Sequence, residues 1–424
     1  MSGSNSKESD VPEPTAPLYV IKQTSDHTML GSLYDYVAQK MHQDIRLKDW
    51  STIIVRGDYS RDPPARLSDV EKSHKMFNWH RPTTTVLGPD TIAVNCFPGI
   101  DYVEHYASLV ATFLALKGRG PGVVSCERPL ANRCSELFLA SNLRGMGQAD
   151  VVIIGYAYRL QSTRGKEWLC SDDGEDLLFS WQKRTLPNGK TVAYLGCMPS
   201  FWGDIGGHLV RALQHFSQVK CLLYLGKSGS LRPELTPNEW LVTGEKSYVG
   251  EELVTWQNVL GPEAAASETG LVTGTIVTVP SPLCESFDWL ERWYSKSNRN
   301  GKACWVDCEV GHMARACREG NTGFGYLHII SDNVSRRCDE NLANEFADAV
   351  ATKRQRLFDQ VETILEAYPS RFICGSTNRS PSHVRTFRIV PLKKPDSGRK
   401  YLAGGTAPAS SHLAWMQYVS LFLH

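Results

Sequence analysis

The chain has 424 residues, of which 42% are hydrophobic and 21% charged, enough for one large domain with extensions or for two domains. Its formal net charge of +1 removes any general electrostatic reason to bind nucleic acid or a membrane surface, and no apolar run reaches the roughly 18 residues of a spanning helix. Twelve cysteines scattered without regular spacing, and an opening MSGSNSKESDVPEPTAP with no apolar signal core, predict a cytoplasmic protein with reduced thiols.

Residues 1–17, rich in Ser, Pro and Glu, read as a disordered tail. Residues 18–147 read as an N-terminal α/β extension or cap. LYDYVAQKMHQDI predicts a helix and STIIV a strand, and the charged, proline-broken loop RGDYSRDPPARLSDVEK carries no chemical signature. DTIAVNCF, DYVEHYASLVATFLALKG and GVVSC then predict strand, helix and strand, with a further helix over 135–143. From 148 the apolar runs become regular: ADVVIIG, TVAYLG, KCLLYLG, LVTGTIVTV, ACWVDCE and GYLHIISD. Helices fit between and after them over 204–218, 285–295, 309–318 and about 341–367. The fold class is therefore α/β, a three-layer arrangement of a mixed sheet flanked by helices over 148–372, followed by a C-terminal extension over 373–424.

Ligands of open α/β sheets collect beyond the carboxyl ends of the strands. ADVVIIG is followed by YAYR, which places Gly155 and Arg159 at one such end. KCLLYLG runs into a Gly-Lys-Ser-Gly turn at 226–229, whose backbone N–H groups and hydroxyls suit an anion. GYLHIISD ends in Asp332, and WVDCE ends in Glu309. Two carboxylates, one arginine and a glycine turn can together bind a polyhydroxylated sugar and an anion.

Five stretches, in order, resemble the nucleoside phosphorylase and nucleosidase superfamily. GYAYR at 155–159 has the spacing of that family's GDPxR, and CMPSFWGDIGGHLVRAL from Cys197 is similar to its Gly-Met-Gly turn and helix. LLYLGKSGSL resembles IRxGTxGG, WVDCEVGHMA resembles VDMExAA, and HIISDNV resembles RxxSD. The resemblance implies a small-molecule substrate, no cofactor and a homo-oligomer. It implies that Glu309 binds ribose hydroxyls, that Cys308, Ser228, Gly229 and Ser331 line the substrate, and that Asp332 protonates a purine leaving group. Gly155, Arg159, Gly226 and Lys227 would hold the anion. Cleaving an N-glycosidic bond needs such a pair, one carboxyl to neutralise the departing base and one to steady the oxocarbenium-like sugar.

Departures from the family pattern bear on the nucleophile. The acidic and proline positions of GDPxR are Tyr156 and Ala157, the arginine of the glycine-turn strand is Tyr224, and its hydroxyl residue is Lys227. These changes favour hydrolysis over phosphorolysis, because water needs no anion site. Two alternatives follow from the same residues: a fold recruited as a cyclase, pericyclase or isomerase of a natural-product intermediate, or a non-catalytic nucleoside-binding module. The aromatic residues Tyr156, Tyr158, Phe201, Trp202, Trp256 and Trp305 serve either the core or an apolar ligand site. Cys304, Cys308, His312 and Cys317 match no standard zinc spacing, so no metal is expected.

Overall fold

The computed structural model describes residues 18–72, 75–170, 177–266, 269–300, 303–345 and 347–372. The disordered tail expected over 1–17 and the extension expected over 373–424 lie outside the described residues.

Short β-branched runs in the first part of the chain form β1 (Thr52–Arg56), β2 (Thr83–Gly88), β3 (Thr91–Asn95) and β4 (Val124–Glu127). They make a four-stranded sheet in the order β2-β3-β1-β4, with β1 parallel to β3 and β4, and β2 antiparallel to β3. LYDYVAQKMHQDI is not one helix. It divides into α1 (Ser32–Ala38) and α2 (Gln43–Leu47), and the His42 side chain between them accepts the N–H of Asp44 as a cap. Helix α3 (Ile100–Leu116) is buried along nearly its whole length, as its unbroken apolar run demands, and α4 (Arg133–Ala140) follows β4.

The larger sheet has nine strands. These are β5 (Val151–Gly155), β6 (Phe179–Thr185), β7 (Thr191–Cys197), β8 (Cys221–Ser230), β9 (Leu241–Val249), β10 (Glu252–Thr255), β11 (Val272–Thr278), β12 (Ala303–Asp307) and β13 (Gly323–Asn333). Their order is β10-β9-β11-β12-β8-β5-β7-β6, and β13 pairs both β8 and β9. The pairings of β8 with β13, β13 with β9, β9 with β11, β11 with β12 and β12 with β8 therefore return to their start, so these strands form a closed ring. Three of its five pairings are parallel and two, β13 with β9 and β12 with β8, are antiparallel, so the sheet is mixed. Helices α5 (Ile205–Ser217), α6 (Gly261–Ala265), α7 (Phe287–Asn300), α8 (Val310–Glu319) and α9 (Asp348–Phe372) complete the fold.

Three further expectations change. No turn forms at 226–229, because β8 continues through it to Ser230 and pairs with β13 throughout. The last helix starts at Asp348 rather than near 341, since turns occupy 342–345. Strands β2, β6, β9 and β10 were not signalled. In β9, LVTGEKSYV, a glycine and two exposed charged residues interrupt the apolar pattern, and its pairing with β11 and β13 overrides that weak local preference.

One hydrophobic core spans both sheets. It joins Ile53, Val94 and Phe113 to Ile154, Leu222 and Trp305. The loop after β1 is bolted to the end of β7: the Asn78 N–H donates to the Cys197 carbonyl at 2.7 Å, and the N–H groups of Trp79 and His80 reach the Met198 carbonyl at 3.2 Å. Phe77, buried beside Asn78, meets the rings of Trp168 at 4.7 Å and Tyr158 at 5.8 Å edge-on. Its ring fills the space above Gly196, where a Cβ would stand 2.2 Å from Phe77 Cζ. The ring is hemmed by two aromatics and has no room to give. Gly196→Ala is thus expected to destabilise the protein by about 1–3 kcal/mol, the usual penalty of overpacking. Adding Phe77→Leu should restore part of the loss, both read as melting temperatures.

Candidate active site

A cavity of about 180 Å³ opens where β8, β12 and β13 end, and it gathers most of the residues singled out in the sequence. Lys227, Ser228, Gly229, Cys308, Glu309, Ser331 and Asp332 all line it. Gly155 lines an adjoining cavity that shares Lys75, Asn78, Tyr156, Phe201 and Tyr224 with the first. Gly155 also has a structural duty. Its φ of +89° and the Leu225 carbonyl, 2.1 Å from where a Cβ would be, admit only glycine where β5 meets β8.

Arg159 and Gly226 are not brought to the cavity. The Arg159 guanidinium lies 5.7 Å over the ring of Phe358, on α9. At Gly226 a Cβ would stand 2.5 Å from His328 Nε2, so the glycine makes room for that ring. His328 Nδ1 is 2.6 Å from Ser228 Oγ, and burial pushes the imidazole down to about 3, which keeps it neutral. Lys227 forms an ion pair with Glu345, and Arg354 approaches the same carboxylate at 3.5 Å. Burial opposes the charge on Lys227, but Glu345 outweighs it and holds the ammonium above its ordinary range.

The carboxylates occupy distinct settings. Asp307, the last residue of β12, accepts the Thr278 hydroxyl at 2.8 Å and the N–H groups of Glu309 and Val310 at 3.0 and 2.8 Å, so it caps α8. Glu309 follows it and accepts the phenol of Tyr224 at 3.2 Å. Burial, reinforced by the charge of Asp307, pushes Glu309 up to about 8. Asp332 accepts the Ser331 hydroxyl at 2.7 Å, and its burial raises its pKa despite that bond. A carboxyl whose protonated form is favoured in this way is better suited to donate a proton than a solvated one. Glu285, buried ahead of α7, lines the same cavity, and burial followed by the charge of Asp332 lifts it well above the carboxylate range.

Aromatic side chains supply much of the remaining surface. Tyr36, Tyr102, Tyr106, Tyr156, Phe201 and Trp202 face the cavity. Trp202 stacks on His105 at 4.2 Å and donates its Nε1–H to the Pro280 carbonyl at 3.0 Å, which fixes its plane. The other sequence-marked aromatics divide. Tyr158 lines the adjoining cavity, Trp305 is fully buried with its Nε1–H on Tyr326 Oη at 2.9 Å, and Trp256 packs against Phe324 and Tyr326. Among the residues first noted for metal spacing, His312 pairs with Asp101 at 2.9 Å and Cys317 is buried on α8.

Sequence reasoning missed Glu285 and a basic set from the N-terminal region, Lys40, Lys72, Lys75 and Arg81. The loop RGDYSRDPPARLSDVEK, taken to be without chemistry, ends one residue beyond Glu71 in a lysine that reaches the cavity. Its cations could have been noticed as a cluster on a proline-rigidified segment. Nothing local distinguishes Glu285.

No protein-family model matches the chain, and no curated protein matches it. Solved structures that align with it include a 5'-methylthioadenosine/S-adenosyl homocysteine nucleosidase of Helicobacter pylori, at 14% identity and a TM-score of 0.40 over 53% of this chain and 99% of that one. The 5'-methylthioadenosine nucleosidase of Arabidopsis thaliana aligns at 14% identity and 0.41, over 55% and 98%. A futalosine hydrolase of Helicobacter pylori aligns at 14% identity and 0.39, over 53% and 99%. No helix among the described residues is long and apolar enough to cross a membrane.

Glu309 holds its proton more tightly in the folded chain, at about 8, than in the unfolded chain, at about 4.3. The stability it contributes is complete below the unfolded value and is lost as the pH rises through the folded one. Melting temperature should accordingly fall between pH 5 and pH 8, and Glu309→Gln should flatten part of that slope. An unchanged slope would contradict the environment described.

Proposed function

We propose that the protein is an enzyme that cleaves the N-glycosidic bond of a purine-type nucleoside, by hydrolysis rather than phosphorolysis. The observation that carries this reading is the convergence of Asp332 and Glu309, from the ends of two different strands, on one aromatic-lined cavity. Asp332, whose burial favours the protonated form, is the general acid that neutralises the departing base. Ser331 donates to Asp332 Oδ1 and fixes the carboxyl's orientation. Glu309, steadied by Tyr224, accepts or donates hydrogen bonds at the sugar hydroxyls, with Cys308 and Ser228 beside it. Tyr156, Phe201 and Trp202 offer faces for a planar base.

Hydrolysis is favoured by the fate of the family's phosphate positions. Arg159 lies over Phe358, Gly226 is within a strand, and Lys227 is already neutralised by Glu345. Water therefore attacks the sugar carbon as the glycosidic bond breaks, its proton passes to solvent or a carboxylate, and the base leaves with the proton of Asp332.

Incubation of the purified protein with adenosine, inosine and methylthioadenosine, with and without phosphate, is expected to release free base without a requirement for phosphate. Asp332→Asn and Glu309→Gln should each lower kcat by about 100-fold or more, in keeping with the loss of general acid catalysis or of a buried polar contact. The absence of base from all three substrates with folded protein would refute the assignment.

A further inference from the structure

Lys40, Lys72 and Arg81 line the same cavity as Asp332 and Glu309, yet they come from the part of the chain that builds the smaller sheet. Lys40 follows α1, and the other two lie on the loop between β1 and β2. All are half-buried. Among the described residues, Lys72 and Arg81 have no ion-pair partner, and Arg81 Nε is buried without a hydrogen bond. Among the described residues, the Lys40 ammonium reaches Tyr36 alone, its carbonyl at 3.3 Å and its ring face at 3.4 Å.

Such cations are unfavourable when confined together away from bulk water. Burial first, then the charges of Lys75 and Arg81, holds Lys72 well below the ordinary lysine range, and burial with Arg81 does the same to Lys40. The nearby carboxylates are otherwise engaged. Glu345 is held by Lys227 and Arg354, Asp307 caps α8, and Glu309 bonds Tyr224. Asp332 and Glu285 line the cavity too, but burial favours their protonated forms, so an anionic ligand would supply the charge that the described residues leave unmatched.

The basic loop is also fixed in place before any ligand arrives. Phe77 is wedged over Gly196, Asn78 and its neighbours bond the end of β7, and Ser200 Oγ donates to the His80 carbonyl at 2.8 Å. Cations held in this way lose little freedom on binding an anion. An arginine offers two parallel N–H bonds to an oxyanion, and lysines add point charges.

We infer that Lys40, Lys72 and Arg81 form a binding site for a phosphate group, set apart from Arg159 and Gly226 and contributed by the N-terminal region. The phosphate is either the ester group of a nucleotide or free inorganic phosphate sharing the cavity with a nucleoside. The site rests on the nucleoside reading for the rest of its ligand, but not on turnover.

Calorimetric titration of the full chain with adenosine 5'-monophosphate, ribose 5-phosphate, adenosine and inorganic phosphate separates the cases. With an ester phosphate, the monophosphate binds about 10-fold or more tighter than adenosine, and ribose 5-phosphate binds without a base. With free phosphate, inorganic phosphate binds alone and tightens adenosine, and the monophosphate has no advantage over adenosine plus phosphate. In either case Arg81→Gln and Lys72→Gln weaken the phosphate-bearing probe about 10-fold each and Lys72→Arg restores most of the Lys72→Gln loss, with an unchanged far-UV circular dichroism spectrum showing that the variants are folded. The inference is overturned if no phosphate-bearing probe binds, or if both Gln variants keep wild-type affinity for all four. Binding of the monophosphate with no base released from adenosine, inosine or methylthioadenosine would leave this site standing and refute the cleavage reading alone.

Discussion

The double pairing of β13 is the constraint on which the cavity depends. This strand lies parallel to β8 along its whole length and antiparallel to β9 near its middle, and so it closes the ring of five strands. A register shift between Ile330 and Asp332 places Asp332 opposite Gly229. Successive residues of a regular strand face opposite ways, but here Ser331 and Asp332 both line the cavity. The irregularity therefore sets donor and acid side by side, and Gly229 leaves room for the carboxylate, whose Oδ2 is 3.0 Å from where a Cβ would stand.

The cavity is also a meeting of two electrostatic environments. The ends of β12 and β13 bring carboxyls whose burial favours their protonated forms, while the N-terminal region brings Lys40 and Lys72, whose burial favours their neutral ones. Each set is disfavoured by desolvation alone, and the ligand that satisfies both has a hydrogen-bonding, uncharged part and an anionic part. This division matches the two origins of the lining, with the carboxyls at the strand ends of the larger sheet and the lysines and arginine in the part of the chain that builds the smaller one.

Much of the larger sheet was legible because its strands are buried on both faces and read as continuous apolar runs, as in VVIIG, ACWVD and GFGYLHIISDN. Glu309 and Asp332 stood out because a carboxylate directly after such a run is conspicuous, and Cys308, Ser228, Gly229 and Ser331 were expected only through the resemblance of their stretches to the family's motifs. Gly226 was misplaced because a Gly-Lys-Ser-Gly stretch has the composition of a turn, and only pairing with β13 keeps it extended. Arg159 was misplaced because a short 3-10 helix, Tyr156–Arg159, carries it toward α9. Lys40, Lys72 and Arg81 were passed over for a different reason. A lysine on a polar loop looks solvated until the tertiary structure shows what it faces.

The seat of Phe77 over Gly196 has a consequence for how the chain can be divided. One apolar cluster runs through both sheets, and at the seam between them the Phe77 ring occupies the space that Gly196 leaves. A fragment beginning near Val151 would bare the notch at Gly196, the open carbonyls of Cys197 and Met198, and the apolar side of β7. That surface is a sticky one. The half of the chain that carries the carboxyls is thus not a module with an accessory in front of it, and its solubility as well as its pocket is a property of the whole.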